Sequence, residues 1–134
     1  MPPALLDSNA ISDLMRDQLT IQTRTAAYPE AITTSVVVAG EIRYGLERLP
    51  SGKRKNELEA RANGILGILR IEPVTFSISE TYGHLKAELQ GKGLNLEDND
   101  LWIAATAITL GYLLVTRDKI LATIPGLQVE DWSI

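Results

Sequence analysis

The sequence predicts one α/β domain in which a parallel β-sheet of four to five strands is covered by helices on both faces. The chain has 134 residues, about the size of a single domain with one core. Short β-prone runs alternate with stretches of helical apolar spacing, which is the order of elements in parallel α/β folds. Two runs, residues 4–6 and 113–116, are almost entirely apolar, as expected of strands buried on both faces.

Polar residues delimit the first elements. The run 4–6 stops at Asp7, and the apolar spacing after Ser8 predicts a strand that leads directly into a helix. Residues 31–34 are a second β-prone run. Ser35 follows with the residue type of a helix N-cap, and apolar residues then recur at helical spacing.

The middle of the chain predicts one further strand between two helices. Residues 50–52, Pro-Ser-Gly, end the preceding helix. A helix rich in basic residues follows at about 53–69. Residues 72–76 are the predicted third strand, and Ser77 or Ser79 is the predicted cap of the helix after it.

Glycine and proline mark the remaining boundaries. Residues 91–93 form a turn, and the next helix closes at Gly111, a residue suited to a helix C-terminus. Residues 113–116 are the predicted fourth strand. A turn at 124–126 precedes a last short strand around Val129.

The composition excludes several kinds of chemistry. Cysteine is absent and His84 is the only histidine, which excludes disulfide scaffolds, thiolate metal sites and thiol nucleophiles and makes a serine–histidine triad very hard to build. The chain begins without the basic segment of a signal peptide, and no window approaches about 18 uninterrupted apolar residues. We therefore expect a cytoplasmic protein, with no membrane span, whose chemistry depends on carboxylates.

Four acids occupy similar places in the predicted fold. Asp7 ends one strand, and Asp118 lies just beyond another, at the sheet edge where parallel α/β proteins bind ligands. Glu41 shares the helix face that is expected to pack toward the sheet. Asp100 lies in the first turn of its helix, on the side of small residues that allow close approach.

Acids that converge on an apolar face need a positive partner. Neighbouring carboxylates raise each other's pKa values, and a divalent cation relieves this repulsion. Oxygen ligands without histidine or cysteine select hard ions, Mg²⁺ or Mn²⁺. Such a site can activate a water and hold a phosphate, so the pattern favours phosphodiester hydrolysis.

Each acid also has a purely structural interpretation. Asp7 can cap the helix that follows it, and Asp118 can be an ordinary loop residue. Glu41 faces solvent if the helix phase is off by one residue, and Asp100 can serve the helix dipole. Their joint placement is the observation that favours a site.

Four blocks of sequence resemble the motifs of PIN-domain ribonucleases, in the family's order. The blocks are LLDSN (5–9), VAGEIRYG (38–45), NDLWIAA (99–105) and LVTRD (114–118). The ending, IPGL (124–127) through EDW (130–132), is similar to that of VapC-type toxins from toxin–antitoxin pairs. The resemblance covers essentially the whole chain, so residues 1–134 are expected to form a single PIN domain with the three-layer PIN-like fold.

The resemblance implies a Mg²⁺-dependent endoribonuclease, with Mn²⁺ as the alternative ion. It also implies a homodimer and a VapB-type antitoxin, encoded beside the toxin, that holds it inactive. By position, Asp7 and Asp100 would be the principal metal ligands, and Glu41 and Asp118 would complete the acidic quartet. Two further residues match polar positions that support the site in relatives: Asn9 and Thr116.

Two features depart from the family's pattern. The segment 119–123 is shorter than usual and lacks the Phe commonly found there, which leaves the shape of the site's rim, and with it the choice of substrate, open. Asp98 is an extra acid beside the third motif. We expect it to be the helix N-cap and not a fifth ligand.

An acidic chain, with a formal net charge of −4, needs a local basic surface to contact RNA. Residues 43–70 contain seven basic and three acidic residues, although an ordinary solvated helix is the alternative interpretation. Aromatic residues make up only 5%, which argues against a base-stacking platform, and we expect Phe76 and Trp132 in the core. The basic residues expected to contact RNA are Arg43, Lys53, Arg54 and Lys55.

Two other functions remain open on the sequence. One is a PIN-domain nuclease of RNA processing that has no antitoxin. The other is a binding module whose acids no longer support hydrolysis and only dock a basic peptide. Retention of all four acids argues against the second, because losing one would suffice to end catalysis.

Overall fold

A computed structural model describes all 134 residues, Met1–Ile134. It contains one five-stranded sheet, six α-helices and a short 3-10 helix at Leu121–Thr123. The strands are β1 (Ala4–Leu6), β2 (Ile32–Ser35), β3 (Arg70–Glu72), β4 (Leu113–Val115) and β5 (Val129–Glu130). The helices are α1 (Ser8–Met15), α2 (Leu19–Ala27), α3 (Val36–Glu47), α4 (Lys53–Ile68), α5 (Phe76–Gly91) and α6 (Asp98–Leu110).

The sheet is entirely parallel and runs in the order β3-β2-β1-β4-β5. The first strand in the chain is therefore the central one, and Leu5 pairs with Thr33 on one side and Leu114 on the other. All residues of β1 and β4 are buried. This confirms the predicted fold class and explains the nearly continuous apolar composition of the two strands.

The helices flank the sheet in two groups, α5 against α6 and α1 against α3 and α4. The α6 helix is buried around most of its circumference, from Leu101 through Ala107, because small alanines let it pack closely. Its end was predicted: Gly111 adopts φ 70°, and the amide of Tyr112 donates to the carbonyl of Ala107 at 2.9 Å. This left-handed C-cap aims the chain directly into β4.

The predicted N-cap at Ser35 is confirmed, but the third strand lies earlier than predicted. Ser35 Oγ accepts from the amide of Val38 at 3.1 Å. The strand ends at Glu72, because Pro73 has no amide hydrogen to continue the ladder. The next helix is capped by Thr75, whose hydroxyl accepts from the Ile78 amide at 3.2 Å, and not by a serine further on.

Three other expectations need correction. Helix α2 was not predicted, because it buries only Ile21 and its threonines give a weak helical pattern. Phe76 was expected in the core but is 79% exposed, whereas Trp132 is buried as predicted. Asp98 is not the cap of α6; it is the first helical residue, and its carboxylate accepts from Lys86 Nζ at 2.8 Å. None of the helices is long and apolar enough to cross a membrane.

Candidate active site

The four acids come from four different parts of the chain and converge at one edge of the sheet. Asp7 directly follows β1, and Asp118 lies just beyond the neighbouring strand β4. Glu41 is in the second turn of α3, and Asp100 is in the first turn of α6. Electrostatic repulsion from the other three acids contributes to raising the pKa of Asp100. The structure therefore brings together the residues that the sequence singled out.

Asp7 is the most deeply buried of the four acids, at 4% exposure. Its Oδ1 accepts from the Ser8 amide at 2.8 Å, and its Oδ2 accepts from Thr116 Oγ1 at 2.8 Å. Burial raises the pKa of Asp7, the two hydrogen bonds oppose this rise, and repulsion from Asp118 adds to it. The carboxylate is thus fixed in orientation while part of its negative charge remains uncompensated.

The two predicted supporting residues complete a network around Asp7. Asn9 Nδ2 donates to Thr116 Oγ1 at 2.8 Å, and Asn9 Oδ1 accepts from the Arg117 amide at 3.2 Å. The amide of Asp118 donates to the same Thr116 hydroxyl at 3.1 Å. One hydroxyl therefore connects the loop after β4 with the carboxylate at the end of β1.

Glu41 is half-buried and has an unsatisfied oxygen. No hydrogen bond is made to its buried Oε1. Burial raises the pKa of Glu41, and repulsion from Asp7 adds to the rise, although the side chains of Asn99 and Ser8 oppose it. A buried carboxylate oxygen without a donor is costly, and such an atom is suited to accept a hydrogen bond from a bound water or to coordinate a cation.

Asp100 has the most strongly perturbed pKa of the cluster. Burial and repulsion from Asp7, Asp118 and Glu41 raise the pKa of Asp100 to about 6. Glu97, at the start of the same helix, contributes in the same direction and was not singled out from the sequence. The sequence did hold a signal for Glu97, because a residue three positions before Asp100 lies on the same side of the helix start.

Asp118 is exposed, and the loop that carries it is held by local contacts. Its Oδ1 accepts from the Ile120 amide at 3.1 Å. The neighbouring Arg117 spans back to α1, where its guanidinium meets both oxygens of Asp13 at 3.3 Å. This ion pair was not predicted, because the two residues lie far apart in the chain and neither belongs to the acidic set.

A cleft of about 730 Å³ opens beside the acids. Of the four acids, only Glu41 lines it, together with Ser8 and Asn99. About half of its walls are apolar, and Arg16 and Arg48 also reach it. The cleft therefore runs from an acidic margin, formed by Glu41, to an amphipathic surface between α1 and α3.

The donor set at the sheet edge consists of oxygen atoms only and fits a hard dication. No three acidic or histidine side chains are arranged closely enough to hold an ion unaided. Mg²⁺ does not require this, because it commonly uses one or two carboxylates and completes its shell with waters and phosphate oxygens. A positive charge bound here would give the unsatisfied Glu41 Oε1 a partner and would lower the raised pKa of Asp100.

The basic residues expected to contact RNA lie outside this cluster. Arg43 is exposed and donates to Asn63 Oδ1 at 3.0 Å. Lys53 forms an exposed helical ion pair with Glu57 at 4.0 Å. Arg54 is exposed and Lys55 half-buried. None of the four pairs with the acidic cluster, and Lys53 is the only one of them that forms an ion pair.

The PIN-domain model matches residues 4–127 of the chain. The chain is 31% identical to the VapC ribonuclease Y4jK of Sinorhizobium fredii, covering 93% of this chain and 94% of that protein. It is 36% identical to ribonuclease VapC2 of Rickettsia felis, covering 76% and 75%.

A solved structure shows the same fold. The chain superimposes with a TM-score of 0.86 and 28% identity on VapBC2 from Rickettsia felis, which was solved bound to a DNA fragment from its promoter, covering 97% of this chain and 98% of that one. The chain therefore belongs to the PIN-domain family. Within that family it groups with the VapC ribonucleases.

Proposed function

We propose that this protein is a Mg²⁺-dependent endoribonuclease that acts as the toxin of a VapBC-type toxin–antitoxin pair in the cytoplasm. The observation that carries the proposal is the placement of Asp7, Glu41, Asp100 and Asp118 at one edge of the sheet, where burial and then repulsion from the other three acids raise the pKa of Asp100 to about 6. The kinship with VapC ribonucleases supports RNA as the substrate.

Each acid has a distinct part in the proposed reaction. Asp7 and Asp100 would hold Mg²⁺ (or Mn²⁺), with Asp118 supporting a second or transient ion. Bound Mg²⁺ lowers the pKa of water and neutralises charge on the scissile phosphate. Glu41, with its unpartnered Oε1, would orient the attacking water and accept its proton.

Two supporting residues fix the geometry in this proposal. Thr116 donates to Asp7 and thereby holds one carboxylate oxygen in place. Asn9 donates to Thr116 and so keeps that hydroxyl oriented. Since metal sites depend on such outer contacts, both residues would act as positioning residues.

A VapB-type antitoxin is the proposed protein partner, and the cleft beside Glu41 is its proposed docking place. The cleft is large, it is lined in part by Tyr44 and Leu46, and it reaches the acidic margin, so an amphipathic segment seated there would block access to Glu41. We also propose a homodimer. Its support in the chain is an exposed apolar surface near β3, formed by Ile68, Ile71, Val74 and Phe76.

The test is cleavage of total RNA by the purified chain and its Asp7→Asn and Asp100→Asn variants, with Mg²⁺ and with EDTA. We expect cleavage by the wild type in Mg²⁺ only, and background levels for both variants with unchanged circular dichroism. The matched control is Asp98→Asn, which neutralises an acid held by Lys86 outside the cluster. Equal cleavage by the wild type and Asp100→Asn would contradict the proposal.

The same preparation separates the alternatives. Co-purification with the product of the neighbouring reading frame, and inhibition by it, distinguishes a toxin from an RNA-processing nuclease. A catalytically silent peptide-binding module would show neither cleavage nor a thermal shift with millimolar Mg²⁺.

A further inference from the structure

A second, smaller pocket lies between the segment that precedes α6 and the segment that follows Asp118. It has a volume of about 100 Å³ and is lined mainly by apolar side chains. We call it the rim pocket; its lining includes Leu89, Leu94, Asn95, Leu96, Ile120 and Ile124, together with Thr123, whose hydroxyl donates to the Ile120 carbonyl at 2.6 Å. Its size admits a single planar ring system and is too small for a peptide segment.

Both walls of the rim pocket continue directly into acids of the site. Ile120 lies two residues after Asp118, and its amide donates to the Asp118 carboxylate at 3.1 Å. Leu94 and Asn95 belong to the segment that leads into α6, whose first turn carries Asp100. One wall therefore adjoins Asp118 directly, and the other leads through Glu97, the N-cap residue of α6, toward Asp100.

The walls are held in place before any ligand binds. At the end of α5 the Leu94 amide donates to the Leu89 carbonyl at 2.9 Å, and the Gly93 amide donates to the Gln90 carbonyl at 3.0 Å, with Gly93 at φ 75°. This is a Schellman C-cap, which fixes Leu94 over Leu89. On the opposite wall, the Asp118 side chain fixes the backbone of Ile120.

Two apolar side chains are nevertheless left open to solvent at this pocket. Leu94 is 45% exposed and Ile120 is 49% exposed. The Asn95 side chain, which also lines the pocket, is exposed and makes no hydrogen bond within the chain, so its donor and acceptor are free. Apolar walls with one free amide match the chemistry of an unstacked nucleobase, whose faces are apolar and whose edge is polar.

We propose that the rim pocket binds one nucleobase of the substrate, next to the scissile phosphate, and determines which base is preferred there. This inference rests on the proposed ribonuclease function. Leu94 and Ile120 sandwich the ring faces, and Asn95 reads the polar edge. The segment 119–123, which departs from the family pattern, would then set the base preference of this particular chain.

The test maps the cleavage sites of a randomised RNA pool for the wild type, Leu94→Ala and Ile120→Ala. We expect the wild type to prefer one base at a single position beside the cut. Each alanine variant should lower that preference by about tenfold, the effect of losing one base contact of ordinary strength, and should keep the preferences at other positions. The matched control is Ile134→Ala, at an isoleucine that is 82% exposed and lies outside the rim pocket, the acidic cluster and the proposed dimer surface.

If an alanine variant no longer cleaves RNA, a binding measurement tests the rim pocket instead. RNAs that each lack one base at a single position are titrated into the Asp100→Asn variant, which is expected not to cleave them. Binding should weaken about tenfold for one abasic position, and the added Ile120→Ala change should remove that difference.

Three results would overturn the inference: unchanged preferences in both alanine variants, equal binding of all abasic RNAs, or no binding of RNA at all. Wild-type protein that binds RNA with an abasic-sensitive position but never cleaves it would instead contradict the proposed function and leave the pocket assignment standing.

Discussion

Thr116 Oγ1 donates a 2.8 Å hydrogen bond to Asp7 Oδ2, although the two residues are 109 positions apart in the chain. The same oxygen accepts from Asn9 Nδ2 and from the amide of Asp118. Because β1 and β4 are neighbours in the sheet, this hydroxyl lies between the two strand ends that carry acids. It joins the first and fourth sequence motifs through side-chain hydrogen bonds, in addition to the backbone pairing of the two strands.

The first prediction concerns this hydroxyl. Thr116→Val keeps the shape of the side chain but removes the donor to Asp7, so we expect RNA cleavage to fall by about 10- to 100-fold, as for other outer contacts of metal sites. Thr116→Ser retains the hydroxyl and should retain most activity. The measurement is kcat as a function of Mg²⁺ concentration, and similar activity of the two variants would show that the hydroxyl does not position Asp7.

The second prediction concerns the stability of the metal-free chain. The pKa of Asp100 in the fold is about 6, against 3.8 for an unperturbed Asp, so the folded chain binds this proton more tightly than the unfolded chain. The contribution of Asp100 to the free energy of unfolding is therefore fully present at low pH and is lost as the pH rises through about 6. In EDTA, Asp100→Asn should therefore melt roughly 2–5 °C above the wild type at neutral pH, and the difference should narrow toward acidic pH.

Asp98→Asn is the control for this experiment. Hydrogen bonds from Lys86 and Tyr82 lower the pKa of Asp98, so neutralising it removes favourable contacts and should not raise the melting temperature. A parallel shift of both variants would mean that general net charge, and not crowding of the four acids, sets the melting temperature.

The third prediction is that Mg²⁺ stabilises the wild type. A bound dication relieves the repulsion among Asp7, Glu41 and Asp100, so millimolar Mg²⁺ should raise the melting temperature by a few degrees. Asp7→Asn should lose most of this shift, because it removes the best-oriented carboxylate. Differential scanning fluorimetry with Mg²⁺, Mn²⁺ and NaCl of equal ionic strength separates ion binding from screening.

The fourth prediction concerns RNA contact through α4. Lys53→Ala should weaken RNA binding for all sequences and reduce the slope of log K against log salt by about 1. Lys53→Arg is the matched control, since it keeps the positive charge at the exposed position that pairs with Glu57. An equal effect of the two changes would show that the charge at this position does not contribute to RNA binding.

The fifth prediction concerns assembly. Phe76 is 79% exposed in the apolar surface near β3, and burial of this surface in a second copy would stabilise a dimer. Phe76→Asp should shift the protein from dimer to monomer in light scattering after size exclusion. Leu19→Asp, at a residue 75% exposed on α2, should leave the oligomeric state unchanged.

The elements that sequence predicted best are those whose signals are local. Ser35 caps the start of α3 and Gly111 caps the end of α6, through contacts with residues three or four positions away that depend on residue type alone. Helix α2 was missed because it is held by tertiary contacts: Arg24 Nη1 donates to the Asp131 carbonyl at 2.8 Å. No local pattern could indicate a partner so far along the chain.

The sequence predicted which acids lie at the site, but it did not predict the other charged residues that surround them. Strand ends and helix phase were enough to place Asp7, Glu41 and Asp100 together. The contribution of Glu97 and the ion pair between Arg117 and Asp13 depend on how the loops fold over the sheet edge. Those contacts, like the walls of the rim pocket, arise only once distant segments have met.

The central position of β1 has a consequence during protein synthesis. The strand that emerges first from the ribosome has its neighbour β4 near the other end of the sequence, so its second edge stays unpaired until about residue 115 has been translated. A nascent chain that has not yet reached residue 116 lacks both Asp118 and the hydroxyl that donates to Asp7, so under the proposed function it would be unable to cleave RNA.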